Sequence, residues 1–223
     1  MKILALETST EMCSAALWCD GEVDARAVFA GQRHSELLLP MVDALLVDHG
    51  LKTSDLDGIA YGAGPGSFTG LRIACGVAQG LAFGAGVPVS GIGTLPALAA
   101  ASDAERAVCC LDARMGEIYH AAYERRAGTW HTVHEPSLCR PEAAPELPDG
   151  GWVGCGSGFA ACREALARRY AGGLCRVLDG LYPHAREIAM LAAAEFERGN
   201  VLDAEQAAPL YVRNKVARRM DER

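Results

Sequence analysis

Glu7 and Asp112 are the two carboxylates best placed for acid–base or metal chemistry, because each ends an apolar run that reads as a strand. Strand ends in α/β sheets face the ligand crevice, and two carboxylates across a crevice can hold Mg²⁺ beside a nucleotide. Both would serve equally well as turn caps, and the sequence leaves the two readings open. A third candidate is the string Gly64-Pro65-Gly66-Ser67-Phe68-Thr69-Gly70-Leu71-Arg72. A glycine-rich turn entering a helix presents free N–H groups, so Gly64, Gly66, Ser67 and Thr69 could cradle a phosphate. No Gly-Lys-Ser/Thr closes the string, which excludes a Walker A loop, and a tight strand-to-helix connection explains it as well.

Other constellations are weaker. His131-x-x-His134 with Cys139 is the one cluster of metal-ligand types, but a strand there would put the two histidines on opposite faces. His34 is followed by Leu37 and Leu38, so no His-x-x-x-His pair forms, and it reads as a helix-entry residue. In Gly154-Cys155-Gly156-Ser157-Gly158, Cys155 and Phe159 stand where a nucleophile elbow requires glycine, so this is a glycine turn into a helix. No catalytic residue, metal site or cofactor is expected.

The elements that must position these groups follow from periodicity. Strands are expected over residues 3–7, 13–19 and 22–29, the last two joined by the hairpin signal Asp20-Gly21. A helix follows over 35–49 with Ser35 as its cap, and Leu37, Leu38, Met41, Val42 and Leu45 give it a broad apolar face. A strand over 58–62 leads into the glycine string and a helix over 69–84, capped by Ser67 or Thr69. In that helix Gly76, Gly80 and Gly84 recur every four residues, as do Ala74, Ala78 and Ala82, giving two smooth strips. Each mid-helix glycine costs about 1 kcal/mol relative to alanine, so close approach of another backbone is the natural compensation. A strand over 87–90 and a helix over 95–101 complete a β-β-β-α-β-α-β-α unit spanning residues 1–102.

Residues 103–223 form a second, smaller unit. Strands are expected over 107–111, 117–124, 130–134, 152–154 and 174–178, helices over 159–170 and 183–198, and a loop over 135–150. The tail after about residue 198 could pack back on the first unit. It carries Arg213, Lys215, Arg218, Arg219 and Arg223 against Asp221 and Glu222, and reads as a solvated end or an RNA-backbone contact made inside a complex.

Composition narrows the class. With 223 residues, half of them hydrophobic, the chain can bury a sizeable core. A net charge of −7 argues against unaided grip on a nucleic-acid backbone. The nine cysteines are odd in number and contain no Cys-x-x-Cys, which fits reduced, buried thiols in a cytoplasmic protein. Glu7 interrupts the N-terminal apolar run before a secretory leader can form. Residues 73–102 carry no charge, yet Gly84, Gly86 and Pro88 break them up, so they read as core and not as a membrane span.

Five stretches together resemble the TsaB (YeaZ) family of the bacterial tRNA threonylcarbamoyladenosine machinery. They are Ile3-Leu4-Ala5-Leu6-Glu7-Thr8-Ser9-Thr10, His34-Ser35-Glu36-Leu37-Leu38-Leu39-Pro40, Gly64 to Arg72, Asp112-Ala113-Arg114-Met115-Gly116-Glu117, and Pro209-Leu210-Tyr211-Val212-Arg213. The resemblance implies an α/β fold of the actin-like ATPase superfamily, with two ribonuclease-H-like lobes and the second reduced. It implies a non-catalytic subunit that binds a TsaD-type catalytic subunit and works with a TsaE-type ATPase on adenosine 37 of tRNA. The tRNA is then reached only through the complex, and two copies of the chain pair when the partner is absent. It also places the partner interface on the first lobe's two helices, giving Leu37, Leu38, Met41, Val42, Leu45, Arg72, Gly76 and Gly80 as interface residues. Glu7 stands where members commonly have Asp, which argues further against nucleotide binding.

Two other functions remain to be weighed. One is an ATPase or small-molecule kinase using the glycine turn, Glu7 and Asp112. The other is a metallopeptidase, a label that distant relatives have carried.

Overall fold

A computed structural model describes residues 1–212. Strand β1 (Lys2–Glu7) is apolar from Ile3 to Leu6 and buried on both sides, so its alternating side chains feed two layers. It pairs antiparallel with β2 (Met12–Cys19), which pairs antiparallel with β3 (Glu22–Phe29). The turn between them is Asp20-Gly21, with φ of 49° and 104°; the left-handed backbone there is what the Asp-Gly pair suits. On its other edge β1 runs parallel to β4 (Gly58–Gly64), and β4 to β5 (Val89–Gly93), giving the order β3-β2-β1-β4-β5. Helices α1 (His34–Asp48) and α2 (Phe68–Ala85) cover one face, where Leu4, Leu6 and Leu17 meet Leu38, Val42, Leu45, Ala74, Ala78 and Ala82.

Helix α3 (Thr94–Ala101) then leads to a second sheet. It contains β6 (Arg106–Asp112), β7 (Ile118–Arg126), β8 (Thr129–Cys139), β9 (Trp152–Cys155) and, after the short helices α4 (Ser157–Ala161) and α5 (Arg163–Arg169), β10 (Leu174–Leu178). Its order is β10-β9-β6-β7-β8, three antiparallel strands followed by two parallel ones, the same arrangement as the first. The repeated strand order agrees with the expected pair of lobes, the second with shorter helices.

Helix α6 (Ala185–Glu197) returns to the first sheet and covers its second face, with Ala185, Ile188, Ala189 and Ala192 against Ile3, Ala5, Ala16 and Ala60. A division at residue 102 therefore separates the sheets but misplaces α6, which belongs to the first lobe. The tail returns there too: Leu202 bridges Val89 in antiparallel fashion, and the Leu210 N–H donates to Ala63 O at 2.7 Å. Helix α3 lies between the lobes, with Ala97 in the first core and Leu95, Leu98 and Ala99 in the second.

Several boundaries differ from expectation for identifiable reasons. Helix α1 starts at His34 with Arg33 at the cap and no side-chain cap bond, so Ser35 is not the cap. The buried His34 ring instead ties the helix start to the first turn, its Nε2–H donating to Thr10 O at 2.8 Å. β8 runs to Cys139, five residues beyond its expected end, and its pairing with β7 shifts register between His120 and Tyr123. The expected 159–170 helix is split at Cys162, whose φ of −125° ends α4.

Candidate functional site

The glycine turn is closed by its own protein. The Ser67 N–H donates to Ser9 O at 2.7 Å, and the Gly70 N–H donates to Ser67 Oγ, the helix cap, at 3.3 Å. The Thr8 hydroxyl donates to Gly70 O at 2.7 Å. A Cβ on Gly66 would stand 2.6 Å from Ser9 O, and one on Gly70 would stand 1.9 Å from Thr8 O. The glycines are thus there so that α2 can press onto the β1–β2 turn, and the N–H groups of Ser67 and Gly70 are already spent. Thr69, by contrast, is exposed on the first turn of α2.

Glu7 is fully buried beside this turn. Its Oε1 accepts the Ser9 N–H, its Oε2 has no hydrogen-bond partner among the described residues, and a Cβ on Gly62 would overlap that oxygen at 1.9 Å. Burial pushes its carboxyl up from 4.5 to about 7, against the lowering effect of the Ser9 hydrogen bond. Asp112 is held elsewhere. Its Oδ1 accepts the Arg114 N–H at 2.8 Å and its Oδ2 accepts Arg114 Nη1–H at 2.9 Å, while Arg114 Nη2 donates to Glu11 of the first lobe at 3.0 Å. The Arg114 guanidinium therefore joins Asp112 of the second lobe to Glu11 of the first. No hydrogen bond joins Glu7 to Asp112 among the described residues. Arg114 was legible only as a neighbour of Asp112, and Glu11 carried no signal.

The proposed interface residues divide. Leu38, Val42 and Leu45 are 0–3% exposed and lie in the protomer's own core, so they do not face a partner. Leu37 and Met41 are half-buried at the edge of that core. The side of α1 turned to solvent carries Leu39 and Val47, at 48% and 67% exposed. The apolar face was read correctly as apolar, but it is spent on the sheet. On α2, Gly76, Gly80 and Gly84 are all exposed with nothing within 4 Å of an added Cβ, and Phe83 beside them is 68% exposed. The alanine strip, Ala74, Ala78 and Ala82, is the buried one.

Arg72 is engaged within the chain. Its guanidinium lies 3.8 Å from the Phe68 ring centroid, and its Nε–H donates to Tyr211 Oη at 3.0 Å. The tail that brings Tyr211 there is held by a reciprocal pair, the Tyr61 hydroxyl donating to Ala208 O at 3.1 Å and accepting the Ala208 N–H at 3.0 Å. Arg213, Lys215, Arg218, Arg219 and Arg223 lie outside the described residues.

In the second lobe the metal-type cluster does not assemble. His134 Nε2–H donates to Glu146 O at 2.7 Å, and no group of three or more ligand-type side chains occurs among the described residues. Ser157 accepts the Asp112 N–H, and Cys155 is buried with its Sγ 3.5 Å from that of Cys109. No helix among the described residues is long and apolar enough to cross a membrane.

Sequence reading missed His120. It is fully buried, its Nε2 shares a hydrogen bond with the Tyr170 hydroxyl at 2.9 Å, and its Nδ1 has no partner among the described residues. Burial, and then the nearby His134 and Arg169, hold it down from 6.5 to about 4. A depressed histidine contributes stability that is full above pH 6.5 and lost as pH falls through 4, because the unfolded chain takes up the proton first. Acid titration followed by circular dichroism should therefore show His120→Gln losing about 3 kcal/mol less stability than the parent across that range. Equal losses would show that another group governs it.

Comparison with known proteins gives a consistent set of relatives. The family described as "TsaD: tRNA N6-adenosine threonylcarbamoyltransferase" matches residues 28–219. The chain is 40% identical to the tRNA threonylcarbamoyladenosine biosynthesis protein TsaB of Escherichia coli over 97% of this chain and 96% of that protein. It is 36% identical to the TsaB of Haemophilus influenzae, over 97% and 95%. Among solved structures, YeaZ from Pseudomonas aeruginosa superposes with a TM-score of 0.87 at 37% identity, covering 94% of this chain and 99% of that one.

Proposed function

Because the chain belongs to the TsaB family, we propose that it takes part in tRNA threonylcarbamoyladenosine biosynthesis as a cytoplasmic, non-catalytic subunit. Its task is to bind and activate a TsaD-type catalytic subunit, in a complex that also includes a TsaE-type ATPase. In the absence of that partner, two copies of the chain pair through the same face.

The observation that carries this reading is the open glycine strip of α2. Three mid-helix glycines cost about 3 kcal/mol relative to alanine. Among the described residues nothing in the protomer requires them, since nothing stands within 4 Å of a Cβ added at any of the three. A partner helix packed closely on Gly76 and Gly80, with Phe83 beside them, supplies the missing reason. The closed glycine turn supports the non-catalytic part, because the Ser67 and Gly70 N–H groups that could have met a phosphate are already bonded within the chain.

The test uses the exposed strip directly. Gly80→Leu should leave the isolated chain folded, abolish co-purification with the catalytic subunit, and remove the chain's contribution to reconstituted tRNA modification. Co-purification at the parent's stoichiometry would end the assignment.

A further inference from the structure

Two thiols meet in the core of the second lobe, away from the proposed partner face of α2. Cys109 on β6 and Cys155 on β9 are register partners in the parallel pair, and their Sγ atoms stand 3.5 Å apart. Both lie in the core under α3, with Leu95, Leu98 and Ala99. Neighbouring strands run about 4.8 Å apart, within the roughly 4.4–6.8 Å between Cα atoms that a disulfide spans. Closing the bond therefore needs the sulfurs to approach by only about 1.5 Å, with no change of register.

The surroundings select this pair. Cys110 follows Cys109 in the strand and points to the opposite face, into the core shared with Trp152 and Phe159, and Cys139 and Cys162 pack against that same core. No other two thiols are hydrogen-bonded to each other among the described residues. The turn after β9 keeps Cys155 in place: a Cβ on Gly156 would stand 2.4 Å from Cys110 O and 2.7 Å from Leu98 Cδ2, so the backbone there is pressed on both β6 and α3. Both thiols are fully buried. Burial, and then the neighbouring Cys155, push the Cys109 thiol well above its ordinary value, and since the thiolate is the reacting form, the closed lobe keeps it inert. Strand β9 is only four residues long, and an opening that lifts it from β6 frees both thiols at once.

We propose that Cys109 and Cys155 form a redox site, a dithiol that hydrogen peroxide converts, when β9 opens, to a disulfide tying β9 to β6. One sulfur attacks a peroxide oxygen as the O–O bond breaks, giving a sulfenic acid and a water. The other sulfur then attacks the sulfenic sulfur, the S–S bond forms and a second water leaves. The two thiols give up two electrons and two protons, and one peroxide is reduced to two waters. The bond joins positions 46 residues apart, so it holds the second lobe shut by restricting its unfolded chain. Thiol reductants reverse it, which makes it a transient, regulatory bond of the kind reducing compartments permit.

The test uses the full-length chain, reduced, with its accessible thiols briefly capped by N-ethylmaleimide and then treated with hydrogen peroxide in urea below the unfolding transition. Mass spectrometry after digestion should find a peptide pair joined through Cys109 and Cys155. Its rate of formation should rise about fivefold per molar urea, as an opening reaction does. Cys155→Ala should lose the link and Cys110→Ala should keep it. The linked chain should unfold at about 1 M higher urea than the reduced one, and dithiothreitol should reverse the shift. The proposal fails if no such link forms, if Cys155 is joined to Cys110 instead, if the rate is indifferent to urea, or if the linked chain unfolds at the same or lower urea.

Discussion

Gly70→Ala should destabilise the isolated chain by about 3 kcal/mol or more, whereas Gly80→Ala, three turns along the same helix, should stabilise it by about 1 kcal/mol. A methyl on Gly70 would stand 1.9 Å from the Thr8 carbonyl oxygen. The Thr8 hydroxyl is itself bonded to Gly70 O, so the backbone has no direction in which to relax. A methyl on Gly80 meets nothing and gains helix propensity. Urea unfolding without nucleotide or partner measures both. A phosphate-cradling turn would behave differently: Gly70→Ala would then fold normally and lose only ligand affinity. The same two variants thus separate close packing from anion binding, and they separate an inward glycine from an outward one.

Glu7→Gln should raise stability at pH 8 by about 3 kcal/mol while leaving it nearly unchanged at pH 4. The folded chain holds the Glu7 carboxyl at about 7, against 4.5 in the unfolded chain, and each pH unit between them is worth about 1.4 kcal/mol. For a raised group the sign is that stability is complete below 4.5 and lost as pH rises through 7, because the unfolded chain releases the proton first. Glutamine mimics the protonated acid and does not titrate, so the difference between the two proteins should open between pH 4.5 and 7. Unfolding curves that stay parallel across that range would show that Glu7 is charged when folded and has a partner not seen here. His120 acts in the opposite sense over an overlapping range, which should leave the parent's stability nearly level between pH 4.5 and 6.5.

Much of the fold could be read from local pattern. The β1 run, the Asp20-Gly21 turn and the leucine spacing of α1 are short-range signals, and each element formed near its expected position. The errors arose where a residue's destination depends on distant chain. An apolar residue on α1 suits the protomer's own sheet as well as a partner's helix, so Leu38 and Val42 gave no sign of which they would meet. Helix α6 shows ordinary amphipathic spacing, and nothing in residues 185–197 says that their apolar side covers a sheet made of residues 3–60. The end of β8 was hidden because Glu135, Pro136 and Ser137 are poor strand formers, and pairing with β7 overrides that preference. On α2, Gly76 and Gly80 stand out by spacing alone, since glycine in mid-helix is costly wherever it occurs. The Phe68–Arg72–Tyr211 layer was invisible, because its members come together only when the tail crosses the first lobe.

That crossing also bears on how the protein is made. The first sheet is complete in sequence by Gly93, yet α6, which shields Ile3, Ala5, Ala16 and Ala60, does not begin until Ala185. At about 5–20 residues per second, a ribosome leaves that surface bare for about 5–20 s. The strands and helices of the other lobe, contiguous from Thr94 to Leu178, emerge in the interval and can close first. The half translated later can therefore finish ahead of the half translated first, so that maturation would run against chain order.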